Sequence, residues 1–192
     1  MSFDFKTYDK KWKINFFKDF GLYQPNPLSF VIKPTIIMSK VYNLKKVQVL
    51  PTTLEKAWDF FSSPKNLKTI TPPHLGFRIL SEKFGEKMYA GQLIEYTVKP
   101  LLSIPFYWMT EITQVEPMKF FIDEQRFGPY SFWHHQHHFK QIDGGIEMTD
   151  IVHYKIPFWF LGDIANTILV KSELERIFDF RKEVADKTFG SN

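Results

Sequence analysis

The stretch SFWHHQHHF, Ser131 to Phe139, packs four of the chain's six histidines into five residues. An H-x-H pair on one strand face can offer two imidazoles to a metal ion, with a carboxylate as third ligand. A histidine beside a carboxylate in an apolar setting can be tuned to titrate near neutrality and move a proton. The same rings can also serve as a hydrogen-bonding wall. Which chemistry applies depends on which way each ring points, and that is set by the elements carrying them.

Val41 to Leu50 reads as a strand stopped by Pro51. TTLE, Thr52 to Glu55, has the spacing of a capping box, opening a short helix with Leu54, Ala57, Trp58 and Phe61 inward. SSPKNLKTITPP breaks that helix. Strand candidates follow at Gly76–Leu80, Gln92–Lys99, Phe106–Val115, Lys119–Arg126, Ser131–Gln141 and Ile146–Ile156, separated by short turns such as VEPMK, FGPY and DGG. The tail from Leu161 to Phe189 is one amphipathic helix, with Leu161, Ile164, Ile168, Leu174, Ile177, Phe178, Val184 and Ala185 at helical spacing and Gly190 as its C′ residue. The fold class is α+β: about seven antiparallel strands in a curved sheet, wrapped around a long C-terminal helix, with a small helical break after strand one.

Composition narrows the function. The chain has 192 residues, long enough for one domain with a core of its own, and 18% of them are aromatic, enough to fill a core densely or line an apolar cavity. It contains no cysteine, which excludes disulfides, thiol catalysis and thiolate-bound zinc and fits a reducing cytoplasm. Uncharged runs such as Gly21–Ile32 and Pro100–Thr110 fall short of the about 20 residues that span a bilayer, and no signal peptide is expected. Residues 1–40 hold seven lysines against three aspartates, which accounts for the whole formal net charge of +4. The remainder is neutral, so no nucleic-acid partner is expected. Residues 1–39 read as a basic aromatic extension and residues 40–190 as the domain. Within the extension, Tyr8 to Phe20 has the pattern of a helix that could dock on the sheet, plug the cavity mouth or lie weakly on a membrane surface; the alternative is a poorly ordered extension.

Period-two alternation then sorts the strands. Trp133, His135, His137 and Phe139 share the inward face, and His134, Gln136, His138 and Lys140 the outward one, where His134 and His138 are expected to be solvated. Asp150, Val152, Tyr154 and Ile156 share a face, as do Phe121, Asp123 and Gln125, and Trp108, Thr110 and Ile112. Asp123, Gln125, His135, His137 and Asp150 thus gather among rings, where buried polar groups need hydrogen bonds, water or a ligand.

FIDEQRFGPYSFWHHQHHF, Phe121 to Phe139, resembles the F-x-D-E-Q-x-x-G-P-Y-x-x-W-x-H-x-H-x-F signature of a bacterial ligand-binding branch of the START-like, or SRPBCC, superfamily. AWDFFSSPKNLKTITPP, YAGQLIEY, IPFYWMTEI, MTDIVHYKIP and LERIFDFR match the branch in type and order. The resemblance covers residues 40–190. It implies a helix-grip fold with a deep apolar cavity between sheet and helix, and no cofactor or metal, since the branch is not known for metalloproteins. The expected function is binding of an apolar or lipid-like small molecule by Tyr96, Trp108, Phe121, Asp123, Gln125, Trp133, His135, His137, Asp150, Tyr154 and Phe178. One alternative is a cyclase or dehydratase using His135 or His137 with Asp150 or Asp123. Another is a regulatory interaction protein with a vestigial cavity. Arg181, in FDFR, is placed at an end of the pocket or in a solvated salt bridge.

Overall fold

In the computed structural model, residues 40–81, 85, 87–101, 104–157 and 163–190 are described. The helix expected at residues 8–20, and everything else expected of residues 1–39, lies outside them. Alternating burial from Tyr42 to Leu50 makes strand β1, an edge strand with one face on the core. Helix α1, Leu54–Phe61, follows. Its N-cap is Thr53, one residue later than the capping-box reading placed it, with Oγ1 accepting from Lys56 N–H at 3.4 Å. Ala57, Trp58 and Phe61 are buried. One-turn 3₁₀ segments at Pro64–Asn66 and Pro73–Leu75 each open on a proline, whose fixed φ suits a first turn.

The strands are β2 (Arg78–Ile79), β3 (Gln92–Leu101), β4 (Ile104–Glu116), β5 (Phe120–Phe127), β6 (Phe132–Ile142) and β7 (Gly145–Lys155). β2 keeps only two residues of the expected Gly76–Leu80, because the preceding 3₁₀ turn ends on Gly76 in the left-handed region. The sheet order is β1-β7-β6-β5-β4-β3-β2, a meander with β1 added beside β7, and every neighbouring pair is antiparallel. Register shifts between β4 and β5 mark bulges that bend the sheet. The β6–β7 turn runs through Gly144, whose φ of 81° suits a residue without Cβ.

Helix α2 spans Asp163–Phe189 and buries Val170, Leu174, Phe178 and Ala185. Its inward stripe enters through Val170, not Ile168: Ile168 is 64% exposed and Leu169 is 50% exposed. Leu161 and the side chain of Ile164 lie outside the described residues. One core cluster joins α1 to the sheet through Trp58, Phe61, Phe121, Phe139 and Met148. Another joins α2 to β7 through Val152, Tyr154, Leu174 and Phe178, and a third holds Leu75, Val98 and Trp108. Among the described residues no helix is long and apolar enough to cross a membrane.

Candidate functional site: a cavity walled by a histidine–carboxylate ring

Strand register builds the polar centre. His135 of β6 lies directly opposite Asp123 of β5, and His137 of β6 directly opposite Asp150 of β7. All four side chains share the inner face, so each imidazole meets one carboxylate across a strand pair and the other on the diagonal. The hydrogen bonds run along the diagonals: His135 Nε2 to Asp150 Oδ1 at 2.9 Å, and His137 Nε2 to Asp123 Oδ1 at 3.0 Å. The directly opposite contacts close the ring, His135 Nδ1 to Asp123 Oδ1 at 3.3 Å and His137 Nδ1 to Asp150 Oδ1 at 2.9 Å. The last lies at ion-pair distance, yet His137 Nδ1 makes no hydrogen bond, because its direction is out of line. Trp133 Nε1–H donates to the remaining oxygen of Asp123, Oδ2, at 3.3 Å.

His135, His137 and Asp150 are buried, and the Asp123 side chain is 16% exposed. Burial pushes both carboxyls up, but the His135 and His137 imidazoles beside them outweigh it and hold Asp123 and Asp150 well below the usual carboxylate range. Burial pushes the His135 imidazole down, and the Asp123 and Asp150 carboxylates outweigh that and hold it above the ordinary histidine range. The two carboxylates and the His135 imidazole thus favour one another's charged forms. Among the described residues, Asp123, His135 and His137 also place ligand-type atoms within 4.8 Å of one another, a set that could hold a divalent ion. An ion entering there would compete with the two diagonal hydrogen bonds.

The ring faces a cavity of about 120 Å³ between sheet and α2. Of the residues expected to bind a ligand, Tyr96, Trp108, Phe121, Asp123, Trp133, His135, His137 and Phe178 lie on its wall. Tyr96 stacks on Trp108 at 5.7 Å between centroids, and Trp108 meets Trp133 edge-on at 5.3 Å. The Tyr96 hydroxyl shares a hydrogen bond with Thr110 Oγ1 at 3.0 Å, and burial pushes its pKa far up.

Three expected residues lie elsewhere. Asp150 sits beneath the two imidazoles and is not on the wall. Tyr154 packs in the α2–β7 cluster, stacked on Tyr42 at 5.5 Å. Gln125 clamps the FGPY turn: its Nε2 donates to Tyr130 O at 2.6 Å, and Tyr130 N–H donates to its Oε1 at 3.2 Å. A Cβ at Gly128 would run into the Gln125 amide, so glycine leaves room for the clamp. The clamped turn presents Tyr130 to the cavity, against Trp133 at 4.9 Å.

Tyr130 was not among the predicted site residues, because it lies in a turn where alternation assigns no face. Leu67, Ile70, Leu75, Phe77 and Met88 complete the wall from irregular segments, with no periodic signal to reveal them. Arg181 of α2 is on the wall as well. On the outer face, His134 and His138 are half-buried rather than solvated. His134 Nδ1 lies 2.8 Å from Glu124 Oε1, and Gln136 bridges to His138 Nε2 at 2.9 Å.

No family model matches the chain, and no curated protein matches it in sequence. Solved structures do match in shape. An uncharacterised protein of Rhizobium leguminosarum superposes with a TM-score of 0.59 at 13% identity, covering 78% of this chain and 97% of that one. A START superfamily protein of Mycobacterium smegmatis gives 0.58 at 8% identity over 76% and 98%. A norcoclaurine synthase point mutant of Thalictrum flavum, in complex with a transition-state analogue, gives 0.56 at 12% identity over 79% and 98%. The curved antiparallel sheet closed by a long C-terminal helix is a helix-grip fold, the arrangement this chain shares in shape with that START superfamily protein.

Proposed function

We propose that this chain binds a small, largely apolar molecule in the cavity between sheet and α2. The observation that carries the reading is the cavity itself: an aromatic wall of Tyr96, Trp108, Tyr130 and Trp133, with few polar groups, all converging from different elements. Its volume of about 120 Å³ favours a ligand with roughly one aromatic ring, since an engineered cavity of about 150 Å³ in another protein takes up benzene. A lipid chain would need more space than this.

Toluene is the simplest probe. Titrated into the full chain, it is expected to bind saturably, to raise the melting temperature and to shift the NMR signals of the Trp108 and Trp133 indoles. Absence of binding would defeat the reading and favour a regulatory interaction protein with a vestigial cavity.

A second reading, a proton-transferring enzyme, is favoured by one observation: His135 stands on the cavity wall while Asp123 and Asp150 favour its charged form. Such a group can donate a proton to a bound substrate and regain one from solvent, its carboxylates favouring the reprotonated form. Both readings treat Asp123, His135 and His137 as a hydrogen-bonded network, so dialysis against a chelator should leave the melting temperature unchanged. One equivalent of zinc or iron per chain, lost in His135→Ala, would replace them with a metal centre.

A further inference from the structure

Resting on the proposed cavity binding, the geometry points to a carboxylate as the ligand's polar group, held by Arg181, so that the cavity takes a small aromatic or branched monocarboxylic acid.

Arg181 lies on the cavity wall, and its Nε is buried with no hydrogen-bond partner. Its guanidinium sits 5.1 Å from the centroid of the Phe178 ring, a cation–π contact that neutralises no charge. Among the described residues it forms no ion pair. The positions one helical turn away, Ile177, Phe178, Val184 and Ala185, supply no carboxylate, and Asp179 two residues back is engaged by Lys46 at 3.1 Å.

The carboxylate on the same wall, Asp123, is not paired with Arg181 and is engaged by other donors. Asp123 Oδ1 is taken by His137 and Oδ2 by Trp133 Nε1–H. A second donor on the wall, Trp108 Nε1–H, is likewise buried without a partner. Two residues of the wall therefore carry unsatisfied donors, one of them cationic. Buried donors are left unpaired rarely and at a cost, and a guanidinium matches a carboxylate's two oxygens in geometry as well as charge. A cavity of this size has room for one ring or a short branched chain beside such a group.

The test compares benzoate with its neutral counterparts, benzyl alcohol and toluene, by calorimetry on the full chain and on Arg181→Met. Benzoate is expected to bind the wild type about tenfold or more tightly than benzyl alcohol, and to lose about tenfold or more in Arg181→Met. Toluene, which has no group for the guanidinium, should change far less than benzoate on the same substitution. Should Arg181→Met not fold, the wild-type ratio of benzoate to benzyl alcohol decides, together with an NMR shift of the Arg181 Nε–H on adding benzoate. Toluene binding without any benzoate preference, or benzoate binding indifferent to Arg181, would overturn the inference and leave cavity binding standing. Failure of all three ligands to bind would overturn both.

Discussion

Strand β6 carries its histidines on two faces, and the two pairs live under different rules. On the inner face His135 and His137 each lie within 3.3 Å of two carboxylates from neighbouring strands. On the outer face His134 has one carboxylate, Glu124, and His138 has the amide of Gln136. Burial alone would depress the most enclosed histidine furthest. The opposite holds: His135, which is deeply buried, has its pKa raised, whereas the less buried His138 has its pKa lowered by burial and by the nearby His137. Partner carboxylates, not depth, set the direction. Adjacent residues in one sequence motif thus have separate chemistry because the strand period is two.

The largest test of that difference is to remove one carboxylate from each face. Asp150→Ala leaves two imidazoles buried with half their counter-charge, and such breaks of a buried pair cost about 3–5 kcal/mol. Glu124→Ala on the outer face removes a half-exposed partner of His134 and Arg126, and should cost about 0.5 kcal/mol or less. Chemical denaturation of the two variants measures both. Equal costs would show that the inner ring holds the sheet no more tightly than surface pairs do.

Much of this contrast was legible in the sequence, and the limits of legibility are physical. Alternation assigned His135, His137, Asp123, Asp150, Trp108 and Trp133 to the inner face, because a strand has only two faces and lysine or glutamine marks the wet one. Alternation names a face but not a depth, so Asp150 was placed on the cavity wall when it lies beneath the histidines. Gln125 shares the inner face in sequence, but its amide turns back to the FGPY turn, a local bond that only coordinates reveal. Tyr130 sits outside any periodic element. On α2, Ile168 continues the spacing of Leu161 and Ile164, but it stands six residues before Leu174 and so falls off the buried stripe, which Val170, four residues before Leu174, joins.

The finer test follows the protons. His135 has a folded pKa above its ordinary value of 6.5, so its contribution to stability is fully present below pH 6.5 and is lost as pH rises through the folded value. His138 has a folded pKa below 6.5, so its contribution is present above pH 6.5 and is lost as pH falls through the folded value. Asp123 and Asp150, both lowered from 3.8, add a further loss as pH drops below about 4. The inner ring is therefore strongest between about pH 4 and 6.5, and it weakens on both sides. NMR titration of the imidazoles should show His135 titrating above 6.5 and His138 below it. In Asp150→Asn the His135 value should fall, because a carboxylate that favours the imidazolium has become a neutral amide, while His138, governed first by its own burial, should move far less. An His135 titration unchanged in Asp150→Asn would mean that Asp123 alone holds the ring charged, and the contrast between the two faces of β6 would then rest on one carboxylate rather than two.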